Sequence, residues 1–169
     1  RGNMRLEVVG LVLASAVGVG AQGLGTSQHF EADVLRRMSV ERNNVELQVV
    51  EPFKVFDNLY FVGNGGVSSW LITTTNGLVL LDAAQEPFVG HTLDRIRKLG
   101  FDPRQIKYLL VSHGHADHGA GAARLQKEFK TRVLTLAEEW DLLLAPPSAG
   151  RARDFSAPAR DIVAKEGDT

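Results

Sequence analysis

The 169-residue chain has no cysteine. That excludes disulfides, thiolate-ligated zinc, iron–sulfur clusters and a thiol nucleophile, so any bound metal must be held by His, Asp or Glu. Aromatic residues are scarce at 7%, which argues against a surface that stacks nucleic-acid bases. Charge of one sign is also lacking: 19 Lys and Arg oppose 20 Asp and Glu, for a formal net charge of −1. Nothing in that balance points to nucleic acid. No apolar run reaches the ~20 residues that a membrane-spanning helix needs. What remains is ordinary for one globular domain, with 44% apolar and 23% charged residues.

The longest apolar run is Val8–Ala21, VVGLVLASAVGVGA, with Ser15 its only polar member. It follows Arg1 and Arg5, falls within the ~7–15 residues of a signal-peptide core, and ends in the small residues Val19-Gly20-Ala21. Residues 1–21 therefore read as an export signal cleaved before Gln22. That predicts a periplasmic or secreted protein with no membrane attachment after cleavage. Residues 22–44 read as a polar N-terminal arm. His29 within it reads as a solvated surface residue.

From Val45 the pattern sharpens. Val45-Glu46-Leu47-Gln48-Val49 alternates like a half-buried strand. Leu59–Val62, Ser69–Thr74 and Leu78–Leu81 read as further strands, the last two joined by Asn76-Gly77 in a type I′ hairpin turn. So 45–82 is expected to be an antiparallel meander. The period then changes. Val89, Leu93 and Ile96 follow helical spacing, with Gly100 as terminator. Ile106–Val111 is a nearly continuous apolar strand. Ala122, Leu125 and Phe129 mark another helix, Val133-Leu134 a short strand, and Ala137–Leu144 a helix stopped by Pro146-Pro147. Strands followed by strand–helix alternation give an α+β or layered αβ fold.

The chemistry concentrates in His113-Gly114-His115-Ala116-Asp117-His118, which holds three of the five histidines. It follows a strand and precedes a helix, and strand ends in αβ folds are where ligands sit. His113 and His115, two apart in extended backbone, can project together. Asp117 and His118, at the helix entrance, can project elsewhere. Imidazole and carboxylate donors suit zinc, with iron and manganese as competitors. Gly114 and Ala116 read as small spacers that let the ligands converge.

This His-x-His-x-Asp-His pattern after Ser112 resembles the signature of the metallo-β-lactamase superfamily, most closely the third lactamase subclass. Asn58–Gly63, Ser68–Ile72 and Gly77–Asp82 resemble the opening strands of that fold, Asp82 its buried structural aspartate, and Gly167-Asp168-Thr169 the turn before its next metal histidine. The resemblance spans about Val49–Thr169. It implies a four-layer αββα sandwich, of which 45–169 is the N-terminal portion. It also implies two zinc ions in the complete protein. His113 and His115 would ligate one and Asp117 and His118 the other, with one further histidine for each from beyond Thr169.

The implied activity is hydrolysis of a small-molecule substrate, with zinc-activated water attacking a carbonyl and Asp117 as both ligand and orienting group. β-Lactams are the leading substrate class. Thioesters and lactones are the alternatives within the fold, and an iron-dependent oxidoreductase such as a persulfide dioxygenase is the alternative reaction class. The 169 residues alone are expected neither to hold zinc tightly nor to hydrolyse substrate.

Overall fold

The structure is a computed structural model that describes residues 41, 44–146 and 155–168. Contacts divide the chain into two units between Asn44 and Val45, and the sheet lies in the second. The expected signal segment, nearly all of the 22–44 arm and His29 lie outside the described residues. Among the described residues no helix is long and apolar enough to cross a membrane.

Seven strands form one sheet in sequence order. They are β1 (Phe53–Lys54), β2 (Leu59–Phe61), β3 (Trp70–Thr74), β4 (Gly77–Leu81), β5 (Ile106–Leu110), β6 (Arg132–Thr135) and β7 (Ile162–Val163). The first four pair antiparallel. From β4 onward the pairing is parallel, which requires long crossovers. Helix α1 (Phe88–Lys98) spans β4 to β5, and α2 (Ala116–Gly119) with α3 (Ala122–Phe129) spans β5 to β6. Helix α4 (Ala137–Leu144) lies between β6 and β7.

Two local expectations are corrected. Val45–Val49 is not a strand: Glu46–Gln48 forms a 3₁₀ turn closed by Gln48 N–H donating to the Val45 carbonyl at 3.1 Å. None of its residues is buried, and Leu47 and Val49 are more than half exposed. Alternation over five residues encodes a strand only where one face meets a core, and this segment has none to meet. The sheet begins instead at Phe53. The hairpin between β3 and β4 is present, but its turn sits one residue earlier than expected. Thr74 pairs with Gly77, so Thr75-Asn76 is the two-residue loop and Gly77, at φ +133°, opens the strand. Asn76 does not take a positive φ. The Thr74 hydroxyl accepts from Asn76 N–H and donates to the Gly77 carbonyl, supplying the bonds that hold the turn.

Helix α1 ends as its sequence predicts. Gly100 takes φ +89°, its N–H donates to Arg97 O, and Phe101 N–H donates to Ile96 O. These are the paired bonds of a Schellman cap, which needs a residue without Cβ strain at that position.

The core lies between one sheet face and the helices. Leu71, Leu78, Leu80, Leu109 and Val133 from the strands meet Val89, Leu93, Ile96, Leu125, Trp140 and Leu143 from the helices, all essentially buried. Each such side chain contributes about 1.5–3 kcal/mol of transfer free energy. The opposite face carries a second apolar row that crosses the sheet by register: Phe61, Trp70, Leu81, Leu110, Leu134 and Ile162 are successive neighbours. Leu110 and Tyr108 are exposed there, at 37% and 44%. One helical layer on one sheet face, with an apolar second face, is the α+β half-sandwich expected from the sequence.

The β6–β7 edge is fastened by an ion pair. Asp161 accepts from Arg132 Nη2 at 2.7 Å and Nε at 2.9 Å, and from Val133 N–H at 2.9 Å. The Arg132 hydrogen bond, helped by that amide and only partly opposed by burial, holds the Asp161 carboxyl below the usual carboxylate range. A depressed folded value stabilises the fold above the unfolded pKa of about 3.9, and that contribution is lost as pH falls through the folded value. Asp161→Asn is therefore expected to lower the urea midpoint at pH 7, with the gap from wild type closing as pH drops below about 4. Denaturation curves at pH 7 and pH 3 check this; an equal gap at both would refute it.

Candidate functional site

The site forms where β4 and β5 end side by side. Asp82 follows β4 and takes φ +59°, a left-handed conformation that Asp tolerates better than most residues. The backbone then locks this corner to the histidine loop. Asp82 N–H donates to Leu110 O, Ala83 N–H to His118 O, and Gly121 N–H to Ala84 O, at 2.8–2.9 Å. His115 stands at the N-cap of α2, its carbonyl accepting from His118 and Gly119 N–H.

Asp82 is 5% exposed and organises the side chains. Its Oδ1 accepts from Ser112 N–H at 2.7 Å, and its Oδ2 accepts from the Ser112 hydroxyl at 2.7 Å. The same Oδ2 lies 2.8 Å from His118 Nδ1. An ionised carboxylate only accepts, so His118 carries its hydrogen on Nδ1 and leaves Nε2 as a bare donor atom. Ser112 Oγ also lies 3.1 Å from His113 Nδ1. The hydroxyl hydrogen is already committed to Asp82, so Oγ accepts here and His113 too is protonated on Nδ1. One buried carboxylate thus sets the tautomer of two imidazoles, one directly and one through Ser112. This is how ligating histidines are usually oriented from behind.

The structure brings all four sequence-predicted residues into one loop. The rings of His113 and His118 are 4.0 Å apart between centroids, and those of His113 and His115 are 4.9 Å apart. Asp117 Oδ2 lies 3.9 Å from His118 Nε2, and both side chains are about one-fifth exposed. His115 is the most exposed of the set. Three imidazoles and a carboxylate, two of the imidazoles with a bare Nε2, match the donor preferences of zinc. Among the described residues, no three His, Asp or Glu side chains stand close enough together to hold an ion as a set. His91, on α1, is not brought to the loop; it lines a cleft with Val49–Pro52 and Arg95.

The spacer reading of Gly114 is corrected in its reason. A Cβ there would overlap the Glu139 carbonyl oxygen and lie 2.8 Å from Leu143 N. The missing side chain makes room for α4, not for converging ligands. Glu139, which no sequence argument singled out, accepts from Gly114 N–H at 2.6 Å. It is 25 residues away, so no local spacing could have revealed it.

Three other polar or aromatic features have local structural roles. Asn64 is buried, and its Oδ1 accepts from Gly66 and Val67 N–H at 2.8 Å, so the glycine-rich loop is a self-bonded connection between β2 and β3. Trp70 is half-buried and packs edge-to-face on Phe61 at 5.3 Å. Arg160 pairs with Asp141 at 2.7 Å.

Comparison with known proteins places the chain in a family. The family model of the metallo-β-lactamase superfamily matches residues 62–169. Among solved structures, a B3 metallo-β-lactamase described as the first with an active-site glutamic acid is 37% identical. The match has a TM-score of 0.68 and covers 78% of this chain and 52% of that one. A subclass B3 enzyme of Bradyrhizobium japonicum is 34% identical at a TM-score of 0.63, covering 72% and 47%. A native metallo-β-lactamase from Legionella gormanii is 33% identical at 0.56, covering 59% and 38%. The chain therefore spans about half the length or less of these structures. The family match begins at Val62, just after β2, and takes in Asp82, Ser112 and the entire histidine loop. This chain belongs to the metallo-β-lactamase superfamily.

Proposed function

We propose that the complete protein is an exported zinc-dependent hydrolase acting on β-lactams. The observation that carries the reading is the Asp82 relay: it leaves a bare Nε2 on both His113 and His118, within one loop that also holds His115 and Asp117. His113 and His115 are assigned to one ion, and Asp117 and His118 to a second. Similarity to B3 metallo-β-lactamases supports the lactam substrate, and the Val8–Ala21 segment supports export.

Zinc, when bound, would lower the pKa of its water to about 7 and would polarise a substrate carbonyl. The chain's own residues supply the rest. Asp82 accepts the Nδ1 hydrogen of His118 and fixes the ring plane. Ser112 passes that constraint to His113. The Asp117 carboxylate would serve as ligand to the second ion and orient an attacking water.

The test is elemental analysis of the full-length protein, with hydrolysis of a chromogenic cephalosporin measured beside a lactone and a thioester. Zinc, and cephalosporin turnover abolished by a chelator, is the expected result. Turnover of only the lactone or thioester would reassign the substrate. Iron with oxygen consumption on a persulfide would replace the reading altogether.

A further inference from the structure

We infer that Glu139 is a positioning residue that clamps the peptide between His113 and Gly114 and thereby aims the two imidazoles on either side of it. The inference rests on the reading of His113 and His115 as metal ligands. Glu139 is the third residue of α4, where a glutamate commonly turns back to its own helix's N-cap. Here it reaches out of the helix instead. Its Oε2 accepts from Gly114 N–H at 2.6 Å, in a half-buried setting where a charge-assisted bond is strong. The backbone of α4 closes on the same point, since a Cβ on residue 114 would overlap Glu139 O and lie 2.9 Å from Leu142 Cβ.

The three histidines differ in what holds them. His118 is fixed by Asp82, and His113 by Ser112. His115 is exposed, and no side-chain hydrogen bond holds its ring among the described residues. Apart from an edge-to-face contact with the His113 ring, its direction comes from its backbone. That backbone is pinned on one side by the start of α2 and on the other by the Glu139–Gly114 bond. Loss of the clamp should therefore loosen His115 most, His113 less and His118 least.

Three variants separate the ways Glu139 could act. Glu139→Gln keeps an acceptor of the same reach and removes the charge. Glu139→Asp keeps the charge in the first helical turn and withdraws the acceptor by one methylene. Glu139→Ala removes both. Gly114 amide exchange and the His ring signals are read by NMR without metal, and zinc affinity is read by competition with a chromophoric chelator. In Ala and Asp we expect Gly114 exchange to quicken and zinc affinity to fall, each by about 10–100-fold, with the His115 ring signal moving toward that of a free imidazole. Gln should lose only the charge assistance and fall well short of the Ala and Asp losses. Impaired Gln with normal Asp would mean that Glu139 acts through its charge on the helix, and would overturn the clamp. Unchanged Gly114 exchange and His115 signal in Ala would overturn it too. If Ala does not fold, the Asp and Gln pair still decides. If wild type takes up no zinc, the metal reading fails by itself while the metal-free NMR still judges the clamp.

Discussion

Asp82→Asn is expected to leave a folded protein that has lost the metal-binding competence of His118. The amide keeps one acceptor, so Ser112 N–H can remain bonded, and Asn tolerates the left-handed backbone at φ +59° nearly as well as Asp. The other amide atom is now an NH₂ group facing His118 Nδ1 and Ser112 Oγ. Two donors cannot share a bond. His118 must move its hydrogen to Nε2 and accept on Nδ1, and Ser112 must turn its own hydrogen away, toward His113 Nδ1. Both imidazoles then present N–H where a bare nitrogen had been. Exchanging a carboxylate for an amide behind a functional histidine costs activity by this wrong-tautomer route in serine proteases. Changes behind metal ligands typically cost 10–100-fold in affinity or activity, and here one change strikes two ligands. The expected outcome is an affinity loss at or beyond the upper end of that range, on the order of 10²-fold, with little change in the urea midpoint. Ring ¹⁵N shifts of His118 and His113 would show the hydrogen moving to Nε2. Shifts that stay in the Nδ1–H pattern, with wild-type zinc affinity, would remove the relay from the argument. Asp82→Ala is the harsher variant. It leaves the Ser112 amide unbonded and removes the side-chain hydrogen bonds that hold the left-handed backbone, so it is expected to lose stability as well.

Elements with a core-facing period were legible in the sequence. Ala137–Leu144 was read to its last residue, because Trp140 and Leu143 face the core and Pro146-Pro147 forbids continuation. Helix α1 was legible for the same reason, with Gly100 supplying the Schellman end. Val45–Val49 misled because it has the alternation without a face to bury, and Phe53–Lys54 was missed because two exposed residues carry no period at all. The four candidate ligands were legible because they are contiguous. Their supports were partly so: Asp82 and Ser112 were suggested by resemblance, but the tautomers follow only from which oxygen faces which nitrogen. Glu139 was invisible, since its bond to Gly114 joins two elements that only the parallel crossover brings together. The candidate ligands are local in sequence, and the side chains that aim them are not.

Asp117→Ala should cost the complete protein about 10²–10³ in turnover while its fold is retained. Asp117 lies in the first turn of α2, outside the apolar core, with its side chain 18% exposed. A carboxylate at a helix start contributes only about 0.3–1 kcal/mol through the dipole, so stability should fall slightly. The catalytic cost comes from elsewhere. Alanine removes the carboxylate 3.9 Å from His118 Nε2, and with it both a proposed zinc donor and the acceptor proposed to orient water. His118 keeps its Nδ1 bond to Asp82, so its tautomer is unchanged and the first-ion pair His113 and His115 is untouched. The signature is therefore a fall in kcat greater than any change in KM, with one zinc retained and one lost. Asp82→Asn acts on the same second ion through His118, and on the first through His113. Groups that serve one unit are not additive, so the double variant should fall little below the worse single. Losses that multiply fully would separate Asp117 from the site that Asp82 supports. Near-normal turnover by Asp117→Ala with two zinc ions bound would sink its assignment as ligand and orienting group together.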